Sequence, residues 1–463
     1  MMRRLRVVFG LLGLGLVLAV PAPFAPSISL TEASAQGPDV PPHLKARAQR
    51  EGAVRVIVEL NLPAGPLVPE GEMFSGGQLL AQRRDIATAQ SRVLLKLGKK
   101  IARVLHKYES VPLLVIEVDS DGLNDLESDH DVRQVFEDAL AFPTLIDSAP
   151  LIQADQAWNV GQDGTGTVIA ILDTGVDSSH PFLTGKVVEE ACYSSTIPGQ
   201  SASLCPNGQP QQTGTGSARP CSLLGCFHGT HVAGIAAGHG AGAGQAFSGV
   251  ARGAQIMAIQ VFSRITDRQA CGGFPPCLGA FTSDIIAGLE RVYARRTQHN
   301  LASVNMSLAG GLFSSRCDTQ PHRAIIDNLR SVRIPSVAAT GNNGSLTSIG
   351  SPACISSAVS VASTTKMDVV SSFSNVAPFL SLFAPGDDIT SSVPGGSYSA
   401  SSGTSMAAPH VAGGWAVLKQ AAPSASVDSI LSALQETGLL VTDTRGSGVT
   451  KPRVGLNQAL SAL

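Results

Sequence analysis

Val168-Ile169-Ala170-Ile171-Leu172-Asp173 sets five aliphatic residues in a row, ends them on a carboxylate and turns at once through Thr174-Gly175. So short and so evenly apolar a run reads as a strand covered on both faces, the setting of a parallel sheet. Asp173 then falls at the carboxyl end of the strand, where open α/β sheets carry their functional groups. Taken alone, an aspartate at a strand end is more often a turn residue or a helix cap. Buried, it needs a partner, because an isolated charge in the interior costs several kcal/mol.

Working outward, the same texture recurs at Gln255–Phe262, Ser303–Leu308, Ile334–Ala339 and Ala358–Ala362. Helical stretches at Gly229–Gly238, Ser283–Arg296 and His322–Leu329 fall between these runs, so the pattern predicts an α/β fold with a doubly wound, mainly parallel sheet flanked by helices. The segment Val187–Cys226 is polar, rich in Gly, Ser and Gln, and holds four cysteines. It reads as a long surface loop pinned by disulfides. No internal repeat of fixed period is visible.

Before residue 150 the composition changes. Val54–Leu60 and Leu113–Val118 read as strands, and between them Leu79, Ile86, Val93, Leu97, Ile101 and Val104 recur at helical spacing with Arg and Lys on the other faces. A short helix around Leu123–Leu126 and a closing strand Val132–Glu137 complete a small α+β module. At the start of the chain Arg3, Arg4 and Arg6 precede an apolar run, Val7–Val20, and Ala33-Ser34-Ala35 offers small residues for cleavage. A helix of that length reaches about 21 Å, short of a hydrocarbon core of roughly 30 Å, so export is favoured over a membrane anchor. The expected organisation is therefore a signal peptide over residues 1–35, the small module over 36–145 and the α/β body over 146–463.

With 463 residues, only 15% of them charged, and a formal net charge of −2, the chain presents no global field for a polyanion. Nucleic acid is not an expected partner, and the mature protein is not expected to meet a membrane. The eight cysteines, Cys192, Cys205, Cys221, Cys226, Cys271, Cys277, Cys317 and Cys354, are even in number and favour disulfides in an exported protein. Their pairing is not fixed by sequence, though Cys271 with Cys277 and Cys317 with Cys354 would close economical loops. Zinc is the weaker reading, since no paired C-x2-C pattern with a complementary histidine is present.

Three further stretches carry chemistry. His228-Gly229-Thr230-His231-Val232-Ala233-Gly234 opens a helix with almost no bulk on one face, able to press against the sheet and bring His228 towards Asp173. The His228/His231 spacing lacks the glutamate and the i, i+4 geometry of a zinc-protease helix, so His228 reads as a general base and His231 as a packing residue. Gly403-Thr404-Ser405-Met406-Ala407-Ala408-Pro409-His410-Val411-Ala412-Gly413 again turns on glycine into a small-residue helix, with Ser405 in its first turn. Serine becomes a nucleophile when a base takes its proton, and that base needs a carboxylate to fix its tautomer. Lastly, Ala338-Ala339-Thr340-Gly341-Asn342-Asn343-Gly344 runs a strand into a turn, and the Asn342 amide there can donate to an oxyanion.

These blocks resemble the subtilisin family: Ile171–Asp177, His228–Gly234 and Gly403–Gly413 are similar to its three signature segments, in the order Asp, His, Ser. Ser248-Gly249-Val250-Ala251, Val304–Leu308 and Gly341-Asn342 add to the likeness, which covers roughly residues 150–460. The resemblance implies a secreted serine endopeptidase with Asp173 as orienting acid, His228 as base and Ser405 as nucleophile, and an oxyanion hole of Asn342 and the Ser405 backbone N–H. It implies protein or peptide substrates lying extended beside Ser307-Leu308-Ala309-Gly310, with Ala309 where the family usually has glycine, a methyl that narrows the mouth of the primary pocket. The small module is similar to subtilisin pro-domains, which implies an intramolecular inhibitor removed by autoprocessing between Ala141 and Ala149. No cofactor is needed for the chemistry; structural calcium is left open, because the loop Gly238–Phe247 lacks carboxylates and matches no full site. Pro452–Asn457 resembles the usual finish of the catalytic domain, so no binding domain is expected to follow.

An esterase or lipase is the rival enzyme reading, but the G-x-S-x-G turn is missing around Ser405 and the triad order would differ. A non-catalytic relative is the rival of another class, disfavoured because every triad and oxyanion position is filled. The expected location is extracellular, or periplasmic in a host with an outer membrane, and the expected state is a monomer.

Overall fold

The computed structural model describes residues 40–73, 75–138, 140–141 and 148–463. The signal-peptide reading, residues 1–35, lies outside them, as does most of the expected processing region. Strands β1 (Val54–Leu60), β2 (Ile101–Lys107), β3 (Leu113–Val118) and β4 (Val132–Glu137) form a four-stranded sheet in the order β2-β3-β1-β4. Helices α1 (Gly76–Leu97) and α2 (Ser120–Ser128) contribute Ala89, Val93, Leu97, Leu123 and Leu126 to the apolar layer on one face of that sheet. The other face, with Ile57, Val115 and Phe136, joins a cluster belonging to the larger body.

The helical spacing from Leu79 to Val104 does not continue through its last two members, because α1 stops at Leu97 and β2 begins at Ile101. Gly98 sits between them with φ +52°, a left-handed backbone that glycine adopts without a Cβ clash and that a helix cannot pass through. The apolar residues beyond that glycine keep a helix-like spacing by accident, and Val104 ends up exposed on the edge strand.

In the body, β6 (Val168–Asp173), β7 (Val187–Tyr193), β8 (Gln255–Gln260), β9 (Cys277–Phe281), β10 (Leu301–Met306), β11 (Gly310–Phe313), β12 (Ser336–Ala339), β13 (Ile349–Ser351), β14 (Val359–Thr364), β15 (Leu382–Pro385) and β16 (Thr450–Arg453) follow in chain order. The central sheet runs β16-β15-β14-β12-β10-β6-β8-β7, all parallel, with an antiparallel strand at each outer edge. Alternate residues serve opposite faces: Ile169 and Ile171 of β6 join one apolar cluster, and Val168, Ala170 and Leu172 join the other. Helices α3 (His228–Ala237) and α6 (Thr404–Ala421) cover the first face, and α4 (Thr282–Arg295) and α5 (Arg323–Ser331) the second. This is the doubly wound arrangement anticipated above.

The reading of Val187–Cys226 as surface loop throughout is also corrected, since its first seven residues form β7 in the central sheet. Glu189 and Glu190 disguise it. Glu189 is ion-paired to Arg291 and Arg295 of α4 and to His299, while Glu190 caps the turn at Gly216 through a 2.6 Å bond. Beyond it, Gln211–Thr213 returns antiparallel to β7 as the edge strand of the central sheet and Ser201–Ser203 pairs with Ser263–Ile265, while Cys192–Cys205 and Cys221–Cys226 pin the connecting loops. Cys271–Cys277 and Cys317–Cys354 are also paired.

Candidate active site

Asp173 closes β6, and His228 opens α3 beside it. His228 Nδ1 donates to Asp173 Oδ1 at 2.7 Å, and both side chains are almost wholly withdrawn from solvent. The carboxylate is oriented by the Thr174 N–H, which donates to the same oxygen at 2.7 Å. Thr174 Oγ1 in turn accepts from Gly229 N at 2.9 Å and donates to Cys226 O, tying the start of α3 to the end of β6. Glycine at 229 is required by the approach: a Cβ there would lie 2.1 Å from the carbonyl oxygen of Gly175.

Ser405 reaches the same strand ends from the second glycine-rich helix. A Cβ on Gly413 would lie 2.7 Å from Ala236 O, so α3 and α6 are in backbone contact, which small residues alone permit. Ser405 Oγ donates to the carbonyl of Ser307, just past the end of β10, at 3.0 Å. Asn342, at the turn after β12, has its side-chain oxygen held by two donors of Thr404, the backbone N–H at 2.8 Å and Oγ1 at 3.0 Å. With Oδ1 so engaged, the Nδ2 amide is the end left to donate.

The residues expected to line the substrate path divide. Ser307 and Leu308 are buried, whereas Ala309 and Gly310 are half-buried. Ala309 faces two glycines: a Cβ at Gly350 would come within 2.8 Å of its methyl, and one at Gly341 within 3.5 Å. Leu140 and Ala141 form β5, which pairs antiparallel with Phe281 and Ala280 of β9 and lies beside β11. The end of the small module thus adds a strand to the body close to Ser307–Gly310.

His231 is a packing residue, as expected. Its Nε2 donates to Ser399 O at 3.1 Å, and burial depresses its pKa to about 3, so it stays neutral. Sequence reading missed Asn375, which accepts from Asn343 N and Ser345 N and donates to Thr340 O, bracing the turn that presents Asn342. It also missed Thr404. Only that residue's place between Gly403 and Ser405 could have pointed to it.

An aspartate, a histidine and a serine gathered at the carboxyl ends of central parallel strands are the groups serine hydrolases use, irrespective of fold. The Subtilase family model matches residues 164–455. The chain is 32% identical over 352 residues to M-protease of Shouchella clausii (strain KSM-K16), covering 75% of this chain and 80% of that one. It is 31% identical to the alkaline protease of Alkalihalobacillus alcalophilus with the same coverage. Against subtilisin E of Bacillus subtilis (strain 168) it is 29% identical, covering 74% of this chain and 79% of the relative. The chain therefore belongs to the subtilase family. It is a serine-type endopeptidase, whose catalysis needs no cofactor. Among the described residues no group of three or more His, Cys, Asp or Glu could hold a metal ion, and no helix is long and apolar enough to cross a membrane.

Proposed function

We propose that Asp173, His228 and Ser405 are the catalytic triad of a secreted endopeptidase made as an inhibited precursor. The observation that carries this reading is the buried 2.7 Å bond from His228 Nδ1 to Asp173, which leaves Nε2 as the basic nitrogen. His228 Nε2 takes the hydroxyl proton as Ser405 Oγ adds to the scissile carbonyl. The negative charge that develops on the carbonyl oxygen is met by Asn342 Nδ2 and the Ser405 backbone N–H. His228 then returns the proton to the leaving nitrogen, the C–N bond breaks, and an acyl-enzyme remains on Ser405. Water adds to the ester carbonyl, giving its proton to His228, and release of the acid restores Ser405.

Residues 36–145 act in this reading as the pro-domain, with residues 1–35 as the export signal and 146–463 as the catalytic domain. The pairing of Leu140 and Ala141 with β9 supports it, because a peptide that adds a strand to a sheet edge is held as a substrate is held. Buried polar contacts support it as well: Arg55 is ion-paired with Asp138 and lies 3.7 Å from Asp284 of α4, while Tyr108 donates to Ser283 O at 2.8 Å. Processing falls between Ala141 and Ala149, and residues 142–147 lie outside the described ones. A fluorophosphonate probe tests the nucleophile: it should label Ser405 in the processed enzyme and not the Ser405→Ala variant, and equal labelling of both would remove Ser405 from this role.

A further inference from the structure

We propose that the Ser307 side chain, held by Asn305, is a positioning residue that sets the nucleophile by binding the backbone carbonyl of Ser405. The inference rests on Ser405 as nucleophile. It begins from Pro409, which sits inside α6 four residues after Ser405. In an α-helix the N–H of residue i+4 bonds the carbonyl of residue i, and proline has no N–H to give. Ser307 Oγ donates to that same Ser405 carbonyl. Ser405 Oγ donates in the opposite direction to Ser307 O, so the two serines are joined by a reciprocal pair of hydroxyl-to-carbonyl bonds.

The Ser307 hydroxyl is itself aimed. Asn305 Nδ2 donates to Ser307 Oγ at 2.9 Å, which occupies an oxygen lone pair and leaves the hydroxyl proton for Ser405 O. Asn305, Ser307 and Ser405 are all buried, and Asn305 Oδ1 has no hydrogen-bond partner among the described residues. A buried amide oxygen left unsatisfied is costly, so an apolar residue would suit the end of β10 better if packing were its only task. The arrangement fixes the first turn of α6 relative to β10, the strand whose continuation lines the substrate path. Geometry at that level matters, since a misplacement of about 1 Å in an active site can lower the rate on the order of a hundredfold.

A double-mutant cycle tests this. Ser307→Ala, Pro409→Ala and the double variant are matured, and their competent sites are counted by phosphonate titration. Each is then assayed for kcat and KM on a short peptide ester, with Tm alongside. Ser307→Ala should lower kcat roughly 10- to 100-fold with KM within about twofold, because the Ser307 backbone is retained. Pro409→Ala in that background restores a backbone donor for Ser405 O and should recover most of the loss. If Ser307→Ala does not fold, Ser307→Cys, a weaker donor of similar size, should show a smaller kcat loss with the same rescue. A native kcat in Ser307→Ala, a loss confined to KM, or a deficit that Pro409→Ala leaves untouched would each overturn the proposal. An inactive Ser405→Ala beside a native-like Ser307→Ala sinks this inference alone, and an active Ser405→Ala sinks the triad reading beneath it.

Discussion

Glu290→Gln should remove much of the pH dependence with which the small module holds to the body. Glu290 lies on α4 facing that module, where Ser110 donates to its carboxylate, and burial pushes its pKa from 4.5 up to about 7. Ser110 opposes the rise, as does Arg83, while Glu70 and Glu109 of the module add to it. Tyr293 and Asn328 complete the surroundings, the first donating to Glu70 and the second to Ser110 O. Once the module leaves, the carboxyl returns to water and towards its ordinary value. The docked state therefore binds more protons than the separated one, and docking is strongest below pH 4.5, weakens as pH rises towards 7 and levels beyond. At about 1.4 kcal/mol per pH unit the shift corresponds to roughly 3 kcal/mol, or a weakening of tens of fold between pH 5 and 8. Gel filtration of the processed complex over that range measures it, comparing wild type with E290Q because His106, 3.7 Å from Asp284, also spans the interface. A wild-type complex that tightens with rising pH, or an E290Q complex with an unchanged slope, would show that Glu290 does not set this dependence.

Replacing Asn342 with alanine should lower kcat by roughly 10²–10³, the size of the contribution of one oxyanion-hole donor, with little change in KM; steady-state kinetics with a near-native kcat would exclude its oxyanion role. Gly229→Ala forces a Cβ to within 2.1 Å of Gly175 O unless α3 moves, so both Tm and kcat should fall, and native values of both would mean the helix shifts freely. His231, His322 and His410 are buried with pKa values depressed to about 3, 4 and 4. Their stabilising contribution is intact above pH 6.5 and is lost as pH falls towards 4 and 3, so urea unfolding of the Ser405→Ala protein should give a lower midpoint at pH 4.5 than at pH 7.

The parallel strands and glycine-rich helices were legible because their signals are local. Five consecutive aliphatic residues before Asp173 leave few choices but a buried strand, and glycines at 229, 234 and 413 announce close packing whatever lies opposite. The misread elements turn on partners distant in sequence or on a single backbone conformation that composition does not display. Val187–Tyr193 looks polar until Glu189 meets Arg291, Arg295 and His299, and Ile101–Lys107 looks helical until Gly98 turns the chain. At the site, Asp173, His228, Ser405 and Asn342 each sit in a recognisable turn or first helical turn. The supporting side chains carry no such mark: Asn375 acts across 35 residues on Thr340, and the Ser307 hydroxyl across 98 on Ser405. The spacing of Ser307 and Ala309 points only to a place beside a substrate and does not disclose that the Ser307 hydroxyl meets the Ser405 carbonyl.

Intact mass of the wild-type and Ser405→Ala proteins after export, with casein hydrolysis on each, tests whether Ser405 is the nucleophile that also matures the precursor. Wild type should appear as an active species beginning between residues 142 and 149, and the variant as an inert, unprocessed chain beginning near residue 36. Equal cutting of both proteins would assign maturation to another enzyme, and casein hydrolysis by the Ser405→Ala protein would contradict the assignment of Ser405 as nucleophile.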